Sequence, residues 1–151
     1  MKVLTLSIKR EWFDKILAGE KDHEYREVTP KSGGKYINYI LNGQIVPFNY
    51  DGEIKDEDTI GIECRQYDAI KFLTGAYSGK RPWALVEVKS VEHQFLFDED
   101  GKDVFVNSAV EYTGNGAQVR YVLSDEEDDY WLVQRMDYTL GKVLDKNLNP
   151  E

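Results

Sequence analysis

Residues 19–27, GEKDHEYRE, hold the densest group of side chains that could do chemistry, since most of them can carry or share a proton or charge. If a regular strand begins at Asp22, Glu24 and Arg26 project from the same face. Lys21 comes just before that strand, in a turn, and can lean toward the same face. Together these side chains can neutralise one another in an ion-pair network that only closes one end of the fold. Alternatively, they can offer donors and an acceptor to a flat polar ligand such as a base.

The elements on either side of this stretch must position it. The segment KVLTLSI alternates apolar and polar residues as a half-buried strand does, and REWFDKILAG has its apolar residues at helical spacing. Gly19 follows that helix and is expected to end it in a left-handed conformation. The segment DHEYREV then reads as a second strand. Two further residues of this strand–helix–strand unit could line a binding site: Lys9, where a phosphate could bind, and Trp12, as a wall.

Most of the remaining chain reads as strands. The segments YDAIKFL, WALVEVKSVEHQFLF, KDVFVN, AQVRYVL and YWLVQRMDYTLGKVL are rich in β-branched and aromatic residues, and turn signals separate most of them. KYINYILNG fits either a short helix or the first half of a hairpin, and its apolar spacing favours the helix. One early helix followed mainly by strands predicts an α+β fold, a small mixed barrel, in a single domain over residues 1–151.

Four residues carry a resemblance to a known family. Gly19, Lys21, Glu24 and Arg26 match the Gly-x-Lys-x-x-Glu-x-Arg motif of the ASCH (activating signal cointegrator homology) domain, a relative of the PUA RNA-binding barrel. The chain resembles this family beyond the motif: in its opening strand, helix and strand, in YDAIKF and ALVEVKSV as a central hairpin, and in YTLGKVL as a closing strand. The resemblance implies a PUA-like barrel with the early helix in the motif cleft and short helical or loop insertions. It also implies that the cleft binds RNA or a nucleoside or nucleotide.

Some small members of the family hydrolyse acetylcytidine with a lysine, a threonine three residues later and a downstream glutamate. Lys21 matches the lysine, but Glu24 stands where those members have the threonine. The downstream glutamate is left open among Glu92, Glu99 and Glu111. As an enzyme, an amidohydrolase or a ribonuclease, the protein would use Lys21 and Glu24 for proton transfer.

The candidate ligand-binding residues are therefore Lys21, Glu24, Arg26, Lys9 and Trp12. Lys80 and Arg81, in the loop GAYSGKRP, are secondary candidates for a phosphate contact. His23, His93 and Cys64 have no spacing typical of a metal site, so neither a metal nor a cofactor is expected.

The charge distribution limits the ligand. The net charge of -9 disfavours long nucleic acid, but residues 1–90 hold 14 Lys and Arg against 14 Asp and Glu. Residues 91–151 hold 5 against 14, with SDEEDD at 124–129 the densest acidic run. This acidic part supports a third interpretation, an interaction module that contacts a basic protein. Without a long apolar run or the pattern of a signal peptide, a soluble cytoplasmic protein is expected.

Overall fold

The computed structural model describes residues 1–75, 80–96, 105–107 and 130–150. Within these ranges there is one α-helix, α1, one short 3-10 helix at Gly33–Lys35, and ten strands. Their bounds in chain order are β1 Val3–Ser7, α1 Arg10–Leu17, β2 His23–Val28, β3 Ile37–Leu41, β4 Gln44–Val46, β5 Ile60–Cys64, β6 Ala69–Leu73, β7 Trp83–Phe95, β8 Phe105–Asn107, β9 Tyr130–Leu132 and β10 Gln134–Asn147.

The strands form three sheets. The largest has the order β1-β6-β7-β10-β2, and the others are β4-β3-β5 and β8-β9. β1 pairs in parallel with β6, whereas β6 and β7 are antiparallel. The predicted α+β class is confirmed. Pairing among the described strands does not close a barrel, so the PUA-like barrel stays a prediction.

The chain divides into two compact units. The first comprises Met1–Glu24, Gln66–Val91 and Tyr138–Glu151, and the second comprises Tyr25–Arg65 and Glu92–Asp137. The prediction of a single domain is not tested by this division. No helix in the described ranges is long and apolar enough to cross a bilayer.

The core of the first unit follows from alternation along its strands. Leu4 and Leu6 are buried on β1, and the parallel register sets them beside Ile70 and Phe72 of β6. The helix α1 buries Phe13 and Ile16, which lie three residues apart on one helical face. Ala69 on β6, Ala84 and Val86 on β7, and Tyr138 and Leu140 on β10 are also buried in this unit. The predicted first strand and helix are therefore confirmed.

The prediction of a helix over KYINYILNG is wrong. Residues 37–41 form β3, which turns back at Asn42 and Gly43 into β4 and pairs Leu41 with Gln44. Asn42 and Gly43 have φ angles of 50° and 82°, and two successive left-handed residues are typical of the two-residue hairpin turn. β5, which was not predicted, pairs with the other edge of β3. The turn chemistry overrides the helical spacing of the apolar residues.

Several predicted features lie outside the described residues. They are the strand AQVRYVL at 117–123, the acidic run at 124–129, and the candidate glutamates Glu99 and Glu111. Of KDVFVN, only Phe105–Asn107 is described, and it forms β8. The remaining predicted strands are confirmed as β6, β7, β9 and β10.

Candidate functional site

The end of α1 fixes where the motif begins. Gly19 has a φ of 74°, so its predicted left-handed conformation is confirmed. The amides of Glu20 and Lys21 both donate to the carbonyl of Lys15, at 2.9 and 3.2 Å. These bonds satisfy a carbonyl of the last helical turn and reverse the chain, as in common helix C-caps. The backbone of Lys21 is therefore set by the helix end and not by a free loop.

Lys21 and Glu24 form a mostly buried ion pair. The Lys21 Nζ lies 3.4 Å from Glu24 Oε2, and the side chains are only 19% and 9% exposed. The same ammonium donates to the His23 carbonyl. An ammonium has three donors. Within the described part of the chain, the Lys21 ammonium makes one hydrogen bond, to this carbonyl, so N–H groups remain that can donate to a ligand.

An indole ring lies beside this pair. Lys21 Nζ is 5.8 Å and Lys15 Nζ is 5.0 Å from the centroid of the Trp12 ring. Trp12 is half-buried on α1, whereas Lys15 is exposed. Cations within about 6 Å of an aromatic face are attracted by its quadrupole. The sequence interpretation did not include Lys15, although its spacing of three from Trp12 on a helix was a usable signal.

The two other candidates, Lys9 and Arg26, lie before α1 and on β2. The Lys9 side chain is exposed just before α1, where its carbonyl accepts the amides of Trp12 and Phe13. Arg26 is half-buried on β2, in the second unit, whereas Glu24 closes a segment of the first. Strand alternation still gives Arg26 the same side of β2 as Glu24. Their shared cleft stays a prediction.

Arg81 acts as an internal clamp. Its guanidinium donates to the carbonyls of Thr74 and Leu73, both at 3.3 Å, and to Ser7 Oγ at 3.2 Å. These contacts tie the end of β6 to the end of β1. Three of its five donors are thus used within the protein, which leaves fewer for the phosphate contact considered from the sequence. Lys80 is exposed.

Thr74 was missed from the sequence. It directly follows β6, is 1% exposed, and its backbone amide donates to the carbonyl of Pro82. Its Oγ1 is buried and has no hydrogen-bond partner among the described residues. Because buried hydroxyls nearly always find a partner, this one can accept a bond from, or donate one to, a bound molecule. A threonine after a strand carries no sequence signal of such a position.

Glu27 was also missed as a candidate. Burial raises the pKa of its carboxyl to about 8, so the group can gain or lose a proton near neutral pH. Such a carboxyl suits general acid or base chemistry. Glu27 lies on β2 in the second unit. Its desolvation depends on burial in the folded chain, and the charged sequence around it gave no indication of that.

The described residues contain no group of three His, Cys, Asp or Glu side chains that could hold a metal ion. His93 donates to the buried Gln134 amide oxygen at 2.8 Å. Burial raises the pKa of the Cys64 thiol, which disfavours the nucleophilic thiolate.

Comparison with known proteins gives one match. The family model described as ASCH domain matches residues 6–134, which include α1, the Lys21–Glu24 pair and most of the strands. No curated protein and no solved structure matches the chain. The matched range covers most of the chain.

Proposed function

The chain belongs to the ASCH domain family, and on that premise we propose that it binds RNA or a modified nucleoside or nucleotide at the Lys21–Glu24 pair. The proposed site consists of side chains of the first unit.

The observation that carries the proposal is the mostly buried ion pair with a donor left over. Lys21 can donate to a carbonyl or ring nitrogen of a base, and Glu24 can accept from an amino or imino group next to it. A base edge that presents an acceptor beside a donor matches both groups at once. Because water has little access to the pair, such hydrogen bonds would be stronger there than on an open surface.

The surrounding charges favour a small ligand. Lys15 is exposed beside Trp12 and can turn toward a single phosphate. Residues 1–90 have balanced charges and the whole chain has a net charge of -9, so a long polyanion gains little from general attraction. A nucleoside, a mononucleotide or a short RNA segment suits this balance better than a long RNA.

The test is a thermal-shift and calorimetric screen against nucleosides, acetylated and methylated nucleosides, mononucleotides and short RNAs. We expect a ligand that stabilises the wild type and Lys89→Ala but not Lys21→Ala. Lys89 is the matched control because it is an exposed lysine of the same unit, on β7. Binding that survives Lys21→Ala would remove the pair from the site. If no member of the panel bound, the proposal would fail.

A second candidate function is hydrolysis of an acylated nucleoside such as acetylcytidine. The same desolvated pair favours it. Glu24 would take a proton from a water that attacks the acyl carbon, and the Lys21 ammonium would stabilise the oxyanion. The carbon–nitrogen bond then breaks, and the amine leaves with the proton held by Glu24. Turnover of acetylcytidine in the same screen distinguishes this candidate from binding alone.

A further inference from the structure

The second unit contains an apolar groove that shares no residue with the Lys21–Glu24 pair. The cavity measures about 320 Å³. All of its lining residues are apolar or aromatic: Tyr39, Leu41, Val46, Tyr50, Ile54 and Ile60. We call this cavity the hairpin groove. Ile54 and Ile60 are each 52% exposed and Tyr50 is 38% exposed. Its volume is at the lower end of the range typical of ligand sites, about 300–1,000 Å³.

One wall of the hairpin groove is held by aromatic packing. The rings of Phe48 and Tyr39 stack with centroids 5.4 Å apart. On its other side Phe48 covers Gly33, where a Cβ would overlap the ring. Gly33 is buried, so this overlap has no easy relief. Phe48 therefore fixes the segment that leads to Tyr50, one of the lining residues.

A second part of the lining is held by the β3–β4 turn. The Asn42 side chain donates to Asp58 Oδ1 at 2.9 Å and accepts the amide of Thr59 at 3.0 Å. The Asn42 backbone amide also donates to the Thr59 carbonyl, at 2.9 Å. The segment that carries Ile54 and Ile60 is thus tied to the hairpin.

The segment that carries the lining residue Ile54, residues 51–58, is acidic, and we call it the rim of the hairpin groove. Residues 51–58, which contain Ile54 and lie between Tyr50 and Ile60, carry five carboxylates and one lysine. Hydrogen bonds from the Asn42 amide and the Lys55 backbone lower the pKa of Asp58, so it is anionic at neutral pH. Because neighbouring Cα atoms lie about 3.8 Å apart, the carboxylates next to Ile54 in the sequence stay close to this lining residue.

This charge determines the chemistry of the occupant. RNA is disfavoured, since its phosphates would meet the carboxylates of the rim. Two other occupants would also be repelled by the carboxylates of the rim. One is the segment 97–129 of the same chain, which holds ten acidic and two basic residues, and the other is a second copy, which has a net charge of -9. The complementary occupant is cationic and has an apolar anchor.

We propose that the hairpin groove docks a short cationic segment of a partner protein. One large apolar side chain of that segment packs among Tyr39, Ile54 and Ile60, and its flanking Lys or Arg residues face the acidic rim. The anchor supplies affinity by burial, and the charges supply association rate and selectivity. The hairpin groove shares no residue with the proposed nucleotide site, and every lining residue belongs to the second unit.

The probe is a fluorescein-labelled peptide with an isoleucine–leucine pair between two Lys-Lys flanks, titrated with the full chain in fluorescence anisotropy. We expect saturable binding that Ile54→Ser weakens by about tenfold, the effect of one large apolar contact. Gly52→Ala should weaken it too, because a Cβ there would overlap the Tyr50 hydroxyl and push that ring aside. Ile45→Ser is the matched control, since Ile45 is 61% exposed on β4 and does not line the groove.

Two further peptides test the charges and the anchor separately. Replacing the lysine flanks with glutamates, or the apolar pair with serines, should abolish binding. Equal binding of the glutamate-flanked peptide, or no effect of Ile54→Ser, would overturn the proposal. So would self-association of the chain in ultracentrifugation that Ile54→Ser abolishes, because the occupant would then be a second copy. Nucleotide binding, measured in parallel, is expected to be unchanged in Ile54→Ser.

Discussion

The Lys21 ammonium lies 3.4 Å from the Glu24 carboxylate across a single reversal of the chain, and both side chains are mostly buried. A charge removed from water is stable in such a place only while its partner remains. The pair is thus important for the stability of the first unit as well as for any ligand. The two effects can be measured separately.

Removing one partner should destabilise the protein much more than removing an exposed pair. For Glu24→Ala we expect a loss of about 3 kcal/mol in the free energy of unfolding, since a mostly buried ammonium is left uncompensated. The control is the ion pair of Arg10 and Asp14 on α1. Its atoms Nε and Oδ1 lie 3.0 Å apart, and the two side chains are 59% and 56% exposed. Their coupling should be about 0.3–0.5 kcal/mol. Urea unfolding with both double-mutant cycles measures the difference, and similar coupling energies would contradict the burial argument.

Gly19→Val should be clearly destabilising. No heavy atom lies within 4 Å of the position of the added Cβ, so the cost comes from the φ of 74° and not from a clash. A left-handed conformation costs a non-glycine residue about 1–2 kcal/mol. Gly34→Val is the control, because Gly34 has equally open space without a positive φ. If both variants melted alike, the left-handed helix end would not be the cause.

The elements around Lys21 could be predicted because their signals are local. The alternation that buries Leu4 and Leu6 and the helical spacing of Phe13 and Ile16 are both visible in the sequence. Gly19 marks the end of the helix in the same way. Local signals also led to the error at β3, because Tyr36, Ile37, Ile40 and Leu41 fit helical spacing. There the two-residue turn formed by Asn42 and Gly43 was a stronger signal than the helical spacing of the apolar residues.

What could not be predicted depends on contacts between distant parts of the chain. The parallel pairing of Leu6 with Phe72 joins residues 66 positions apart. The hydroxyl of Thr74 and the carboxyl of Glu27 acquire their properties only from burial by such neighbours. The clamp by Arg81 on Ser7 has the same origin. A single sequence contains no record of which surfaces meet, so these residues were missed or given another role.

Glu27 should make stability depend on pH. Its pKa rises from 4.5 in the unfolded chain to about 8 in the folded one, so the folded state holds the extra proton between these values. Its contribution to stability is complete below 4.5 and is lost as the pH rises toward 8. Glu27→Gln keeps a neutral side chain at every pH. We expect its melting temperature to exceed that of the wild type increasingly as the pH rises.

The control for this prediction is Glu11→Gln, which changes an exposed carboxyl on α1. Melting curves of the wild type, Glu27→Gln and Glu11→Gln are measured in the same buffers between pH 4.5 and about 8. The comparison separates the effect of protonating Glu27 from the effect of a changed net charge. A wild type and Glu27→Gln with parallel pH profiles would show that Glu27 keeps its ordinary pKa.

Salt should distinguish a mononucleotide from a long RNA. With a single phosphate bound near Lys15, the slope of log affinity against log salt should be shallow, about -1. Lys15→Ala should then lower affinity for the mononucleotide to that for the nucleoside, while Lys142→Ala, an exposed lysine on β10, changes neither. Titrations at four salt concentrations measure the slope. A value of about -3 or steeper would correspond to several phosphate contacts and favour long RNA.

Lys21→Arg separates binding from hydrolysis. If Lys21 only donates hydrogen bonds as a cation, arginine retains the charge and the donors, so much of the ligand binding remains and varies little with pH. If Lys21 must lose its proton during a reaction, arginine cannot replace it. Turnover of acetylcytidine would then disappear in Lys21→Arg while binding persists.

We expect the binding outcome, because Lys21 already acts as a cation in its ion pair with Glu24 at 3.4 Å. The measurement is calorimetric affinity together with chromatographic detection of the deacetylated product, for wild type, Lys21→Arg and Lys89→Ala. Wild-type turnover that is lost only in Lys21→Arg would instead identify Lys21 as a proton-transfer residue. If turnover were retained in Lys21→Arg, the role of Lys21 would be that of a cation that stabilises the oxyanion, and Glu24 would be the base.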